Sequence, residues 1–213
     1  MFHFVDYVTV NMVCFLMLIG NSILFGRRYL DMPLEEIRQE GFGFAAPGFI
    51  LTLLGGDMVL HWPLHSSVPT SGNANIIIGW PSLIFGVLFL FSGLAIVLCR
   101  GKAALALKPL ARCAFFGGLM LVAIAGGILI TSAGSPPPTE SQVIRMIFGP
   151  VTWAIVYISS GIVAILSPWA LSTQRKVLRS VVLVALFLAG GLLAVSTVGT
   201  LISHIQLFGA FPA

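Results

Sequence analysis

"PSLIFGVLFLFSGLAIVLC", residues 81–99, runs nineteen positions without a charged side chain. At a rise of about 1.5 Å per residue, a helix of that length covers the ~30 Å hydrocarbon core of a bilayer. The rest of the chain is built the same way. Of its 213 residues, 58% are hydrophobic and 8% charged, where a soluble domain carries roughly 25% charged residues. That composition excludes an ordinary soluble protein. It predicts an all-α bundle of six transmembrane helices forming a single domain, 1–213, with spans near 4–25, 47–62, 81–99, 108–132, 147–169 and 178–205.

Local signals set the expected ends. Pro47, Pro81 and Pro109 are placed at first helical turns, where a missing N–H does no harm, and Gly26, Gly101 and Gly134 just past apolar runs. "DMPLEEIRQEG", residues 31–41, reads either as a short helix capped by Asp31, with Leu34 and Ile37 facing the membrane surface, or as a plain solvated connector. The N-terminal run lacks a basic leader and a small-residue cleavage site, so it reads as a retained first span. "FSGLAIVLC" (91–99) resembles "SSGIVAILS" (159–167), a weak sign of a duplicated hairpin. The pairs Gly117–Gly118, Gly126–Gly127 and Gly190–Gly191 suit close helix packing.

Ten of the eleven Lys and Arg residues fall at the connections after spans one, three and five, leaving Arg145 alone on the other side. The excess of positive charge on cytoplasmic loops then places both termini outside the cytoplasm. The expected setting is the plasma (cytoplasmic) membrane. The same distribution accounts for the net charge of +4 without nucleic acid, for which there is no basic patch interleaved with aromatics. Cys14, Cys99 and Cys113 have no CxxC or zinc spacing.

The ionisable residues gather at the opposite, outer end. Asp57 and His61 are four apart and share a helix face. Pro63 ends or kinks that helix, leaving His65 on a segment, 63–80, without Lys, Arg, Asp or Glu. We read that segment as an extracytoplasmic lid over the helix ends. His3 opens span one and His204 closes span six on the same side. His3, Tyr7 and Asn11 form a polar stripe with a period of four, as do Ser196, Thr200 and His204. Unsatisfied polar groups are costly at membrane depth, so both stripes should point into the bundle.

Three readings of this cluster stand. The plainest has the histidines at headgroup level, with Asp57 hydrogen-bonded to a neighbour. The second is a metal site of Asp57, His61, His65 and His3, with copper, iron or zinc suited to such donors. The third is a cofactor site for haem b held by His61 and His204. Asp57 is also a candidate proton carrier for proton or quinone chemistry.

"HWPL", residues 61–64, and "NIIIGWPSLIFG", residues 75–86, resemble a family of prokaryotic multi-pass membrane proteins known as domain of unknown function 981. The likeness rests on Trp62, Pro63, Leu64, Asn75, Ile76, Gly79, Pro81, Phe85 and Gly86, and covers about thirty residues. It implies a membrane fold and no reaction. It also implies a polar residue at the position of Asp57, whereas His61 and His65 depart from the family pattern. Any metal site would then be particular to this branch.

The chain has short loops and no cofactor module of its own. It reads as a small integral subunit of a larger membrane complex, respiratory or oxidative, whose partners are the lipid bilayer and other integral membrane subunits. The alternatives are a transporter or channel for a small solute, and a stand-alone metal-dependent membrane oxidase. The scarcity of ionisable residues in the inner halves of spans three, four and six argues against the transporter.

Overall fold

Hydrophobic side chains that face outward along every helix describe a bundle turned toward lipid rather than water. Val13, Met17, Leu24, Phe49, Leu53, Phe116, Val184 and Leu188 are all exposed. The computed structural model describes residues 7–28, 33–61, 75–99, 103–131, 149–172 and 176–209; of 103–106, 172 and 203–209 it gives only the helical backbone. The helices are α1 (Tyr7–Arg28), α2 (Leu34–His61), α3 (Trp80–Val97), α4 (Ala103–Thr131), α5 (Pro150–Ser172) and α6 (Lys176–Gly209), and a π-helical turn, Asn75–Gly79, leads into α3. All six are long and apolar enough to cross a membrane, and the described residues contain no strand.

The six expected spans are therefore present, and the differences lie at their ends. Helix α2 starts at Leu34, thirteen residues before Pro47, which is buried inside it. Pro109 likewise lies within α4, and Gly26 within α1. Of those three prolines only Pro81 sits at a helix's first turn, in α3. The separate helix or connector expected over 31–41 is instead, from Leu34, the beginning of α2, with Glu35 and Glu36 in its first turn, favourable at that end of the helix dipole. Leu34 is exposed, but Ile37 is buried in the core. Asp31, Gly101 and Gly134 lie outside the described residues.

Two internal prolines, Pro47 and Pro168, persist because other donors reach the carbonyls they free. Pro47 cannot bond to the carbonyl of Gly43, and the side-chain amide of Asn21 on α1 donates to that oxygen at 2.6 Å. Pro168 in α5 frees the carbonyl of Ala164, which accepts from the Ser167 hydroxyl at 2.8 Å. Side-chain donors are how apolar helices tolerate proline where water is absent. Two arginines serve helix ends in the same manner. Arg38 Nε donates to Val97 O at 2.8 Å and Arg179 Nη2 to Gly26 O at 2.8 Å, each covering a carbonyl near a C-terminus.

The closest packing is between α2 and α3, and between α4 and α5. On α2, Gly41, Gly48 and Gly55 recur every seven residues, and on the facing segment so do Gly79, Gly86 and Gly93. A methyl group on Gly41 would lie 2.7 Å from the carbonyl of Gly93, and one on Gly55 2.3 Å from the amide of Leu83. Backbone therefore touches backbone along the seam, as small residues permit in membranes. Gly118 and Gly161 do the same for α4 and α5, whereas Gly126, Gly127 and Gly191 face open space. Of the expected Gly-Gly pairs, only Gly118 makes such a backbone contact; Gly117 meets Phe85 and Gly190 meets Ile19.

Phe25, Phe44 and Phe89 tie α1, α2 and α3 together. Phe25 meets Phe44 edge-on at 5.6 Å, and Phe44 stacks on Phe89 at 6.0 Å. Phe85, Leu121, Ala154 and Tyr157 form a second cluster across α3, α4 and α5.

Candidate functional site

The seam of glycines brings the C-terminal end of α2 hard against the start of α3, and α1 begins beside it. Here Asp57 becomes the centre of a three-residue chain. The Tyr7 hydroxyl donates to Oδ2 of Asp57, and Nδ1 of His61 lies 2.7 Å from Oδ1. A carboxylate only accepts, so the imidazole donates its Nδ1 hydrogen to Asp57, which in the neutral ring leaves Nε2 as the nitrogen with the lone pair. The side chains of Asp57 and His61 are 37% and 72% exposed, so the chain opens at the end of the bundle.

Below it the polar stripe of α1 continues inward as expected. Asn11 is fully buried. Its amide nitrogen is 2.6 Å from the carbonyl of Tyr7 and 3.7 Å from Sδ of Met58. Its Oδ1, like the hydroxyl of Ser82, is buried without a hydrogen-bond partner among the described residues. The stripe of α6 also turns inward over the part described. Ser196 is buried, and Thr200 donates to its carbonyl at 2.9 Å with Sδ of Met12 at 3.8 Å.

Of the residues singled out in the sequence, Asp57 and His61 are brought together. His3 and His65 lie outside the described residues, and His204 lies on α6 with only its backbone described. Most of the expected lid, residues 63–74, also lies outside them, while its last part is helical, as the π turn and the first residue of α3. Among the described residues no group of three or more His, Cys, Asp and Glu is placed to hold a metal ion. Tyr7 is the participant that sequence reading left unassigned. Its signal was the period-four stripe of His3, Tyr7 and Asn11, which had to face another helix.

The arrangement is a phenol, a carboxylate and an imidazole in series. Such a chain can orient a ligating imidazole through its remote nitrogen, or relay a proton between the bundle and the membrane surface at that end.

The sequence matches the family described as "Protein of unknown function (DUF981)" over residues 1–207, and the chain belongs to that family. The likeness noted around 61–86 therefore extends over nearly the whole chain. No curated protein and no solved structure matches it.

Proposed function

We propose that this member of the DUF981 family is an integral membrane subunit that supplies one oriented imidazole, His61, to a metal centre at the outer end of its bundle. The observation that carries the reading is the Asp57 carboxylate, held by Tyr7 on one oxygen and bonded to His61 on the other. Carboxylate-to-imidazole bonding of this kind fixes the ring and raises the basicity of the other nitrogen toward a metal. With both oxygens engaged, Asp57 acts by orienting His61 rather than by binding the ion. The remaining ligands come from His3, His65, His204 or a partner subunit. Copper and iron suit imidazole donors, and haem b uses the same nitrogen of an axial histidine.

The basic residues at the opposite end, among them Arg27, Arg28, Arg38, Lys176 and Arg179, support a reading in which the Asp57 end faces away from the cytoplasm. A subunit role in the plasma membrane, in a respiratory or oxidative complex, fits a chain whose described residues supply only part of a ligand set.

The test is metal affinity of variants purified in mild detergent. His61→Ala is expected to abolish binding, and Asp57→Asn to weaken it about 10–100-fold. Equal affinity in wild type and both variants would refute the assignment. Co-purification of redox subunits with the unmodified chain tests the subunit role, and a chain that purifies alone and fully loaded contradicts it.

A further inference from the structure

Between the helices, on residues separate from the Tyr7–Asp57–His61 chain, lies a partly open cavity of about 290 Å³ lined by residues of all six helices. Close-packed interiors leave few voids larger than a water molecule, and an apolar void about half this size already takes up benzene. Its walls are almost wholly hydrocarbon, with Phe15, Leu18, Phe89 and Leu186 among them. From Met12 to Gly26 it follows α1 over fourteen residue steps, roughly 21 Å at about 1.5 Å per step. The shape is long and narrow.

The two ends differ in chemistry. Trp153 and Tyr157 line one end, where the Tyr157 hydroxyl donates to the carbonyl of Ile77 at 2.5 Å and ties α5 to the π turn. Arg179 lines the other, beside Gly26, and is the one charged residue on the wall among the described residues. Arg27, Arg28 and Lys176 stand on the same end of α1 and α6. A cation at the mouth of a long apolar slot is complementary to an anionic headgroup carrying a hydrocarbon tail.

We infer that the cavity is a binding site for a single long-chain anionic amphiphile. Its acidic head lies at Arg179 and its tail runs between the helices toward Trp153. Fatty acids and anionic phospholipids share this chemistry.

The full-length protein is examined in mild detergent with Trp62, Trp80 and Trp169 replaced by phenylalanine, so that Trp153 is the fluorescent reporter. Straight-chain fatty acids brominated either at the methyl end or beside the carboxylate are titrated in. The methyl-end probe is expected to quench Trp153 saturably at one molecule per chain, and the carboxylate-end probe to quench it far less. Ser160→Phe, which fills the wall, should weaken saturable quenching at least tenfold, and Val184→Phe on the exposed face should leave it unchanged. Ala114→Leu serves the same purpose should Ser160→Phe fail to fold. Arg179→Gln should remove the preference for the acid over its methyl ester. A lysophospholipid brominated at its tail, run in parallel, decides between the two sources, and saturation by either supports the site. Quenching that rises without saturating, that survives both filling variants, or that is equal for acid and ester in the unmodified protein would overturn the inference.

Discussion

The side-chain amide of Asn21 lies 2.6 Å from the carbonyl of Gly43, the acceptor that Pro47 leaves without its usual amide donor. One helix thus completes the hydrogen bonding of its neighbour at the point where that neighbour's sequence would break it. Asn21 is a packing residue in this light, although a polar residue in an apolar span invites a functional reading.

Replacing Asn21 by leucine should therefore destabilise the bundle by about 1–3 kcal/mol, the cost of an acceptor left unsatisfied in an apolar surround. Pro47→Ala in the same chain restores the amide and should recover most of that loss. Thermal unfolding of the two single variants and the double variant forms a cycle. Additive effects would mean that the two residues do not act on one carbonyl.

The glycine seam makes a second distinction. A methyl group on Gly48 would lie 2.5 Å from the amide nitrogen of Leu90, whereas one on Gly126 would meet nothing within 4 Å. Gly48→Val should prevent α2 and α3 from closing and cost at least about 1–3 kcal/mol. Gly126→Ala should be neutral or stabilising by up to about 1 kcal/mol. Detergent-solubilised yield and melting temperature report both, and similar behaviour of the two variants would contradict the seam.

How much of this was legible in the sequence depends on which force wrote it. Hydropathy marks where a chain meets lipid, so the six spans could be read from long uncharged runs such as 81–99. It does not mark where a helix starts. The polar turns Leu34–Gly43 are helical because Glu35, Glu36 and the packing of Ile37 support them, and Pro47 misled by looking like a beginning. The seam was visible as Gly41, Gly48 and Gly55 against Gly79, Gly86 and Gly93, a period of seven overshadowed by the more obvious adjacent pairs. At the site, the four-residue spacing of Asp57 and His61 was sufficient to place them together. Tyr7 was not legible as their partner, because the register of α1 against α2 is set by tertiary packing rather than by local pattern.

The distribution of basic residues predicts an orientation in the membrane. In a chain freed of Cys14, Cys99 and Cys113, cysteine introduced at Ser67 or Ser141 should react with a membrane-impermeant reagent added outside intact cells. Cysteine at Ser172 should not react. The opposite labelling pattern would place the Asp57 end in the cytoplasm.

Tyr7→Phe removes one hydroxyl and leaves Oδ2 of Asp57 without its donor, while the contact to His61 is untouched. A loss of about 1–3 kcal/mol in unfolding free energy is expected, and the paired variant Tyr7→Phe/Asp57→Asn should lose less than the sum of the two single changes. A Tyr7→Phe protein as stable as wild type would show that the phenol does not hold the carboxylate.

The central claim is that the Asp57-oriented imidazole of His61 serves a metal centre. It is tested most directly on the unmodified protein, purified from membranes in mild detergent with any tightly associated subunits. Elemental analysis and the optical spectrum are measured on the same sample. The account predicts about one copper or iron per chain, or a Soret band if the iron is in haem. Protein that is folded and pure and holds neither metal nor haem in stoichiometric amount would contradict it.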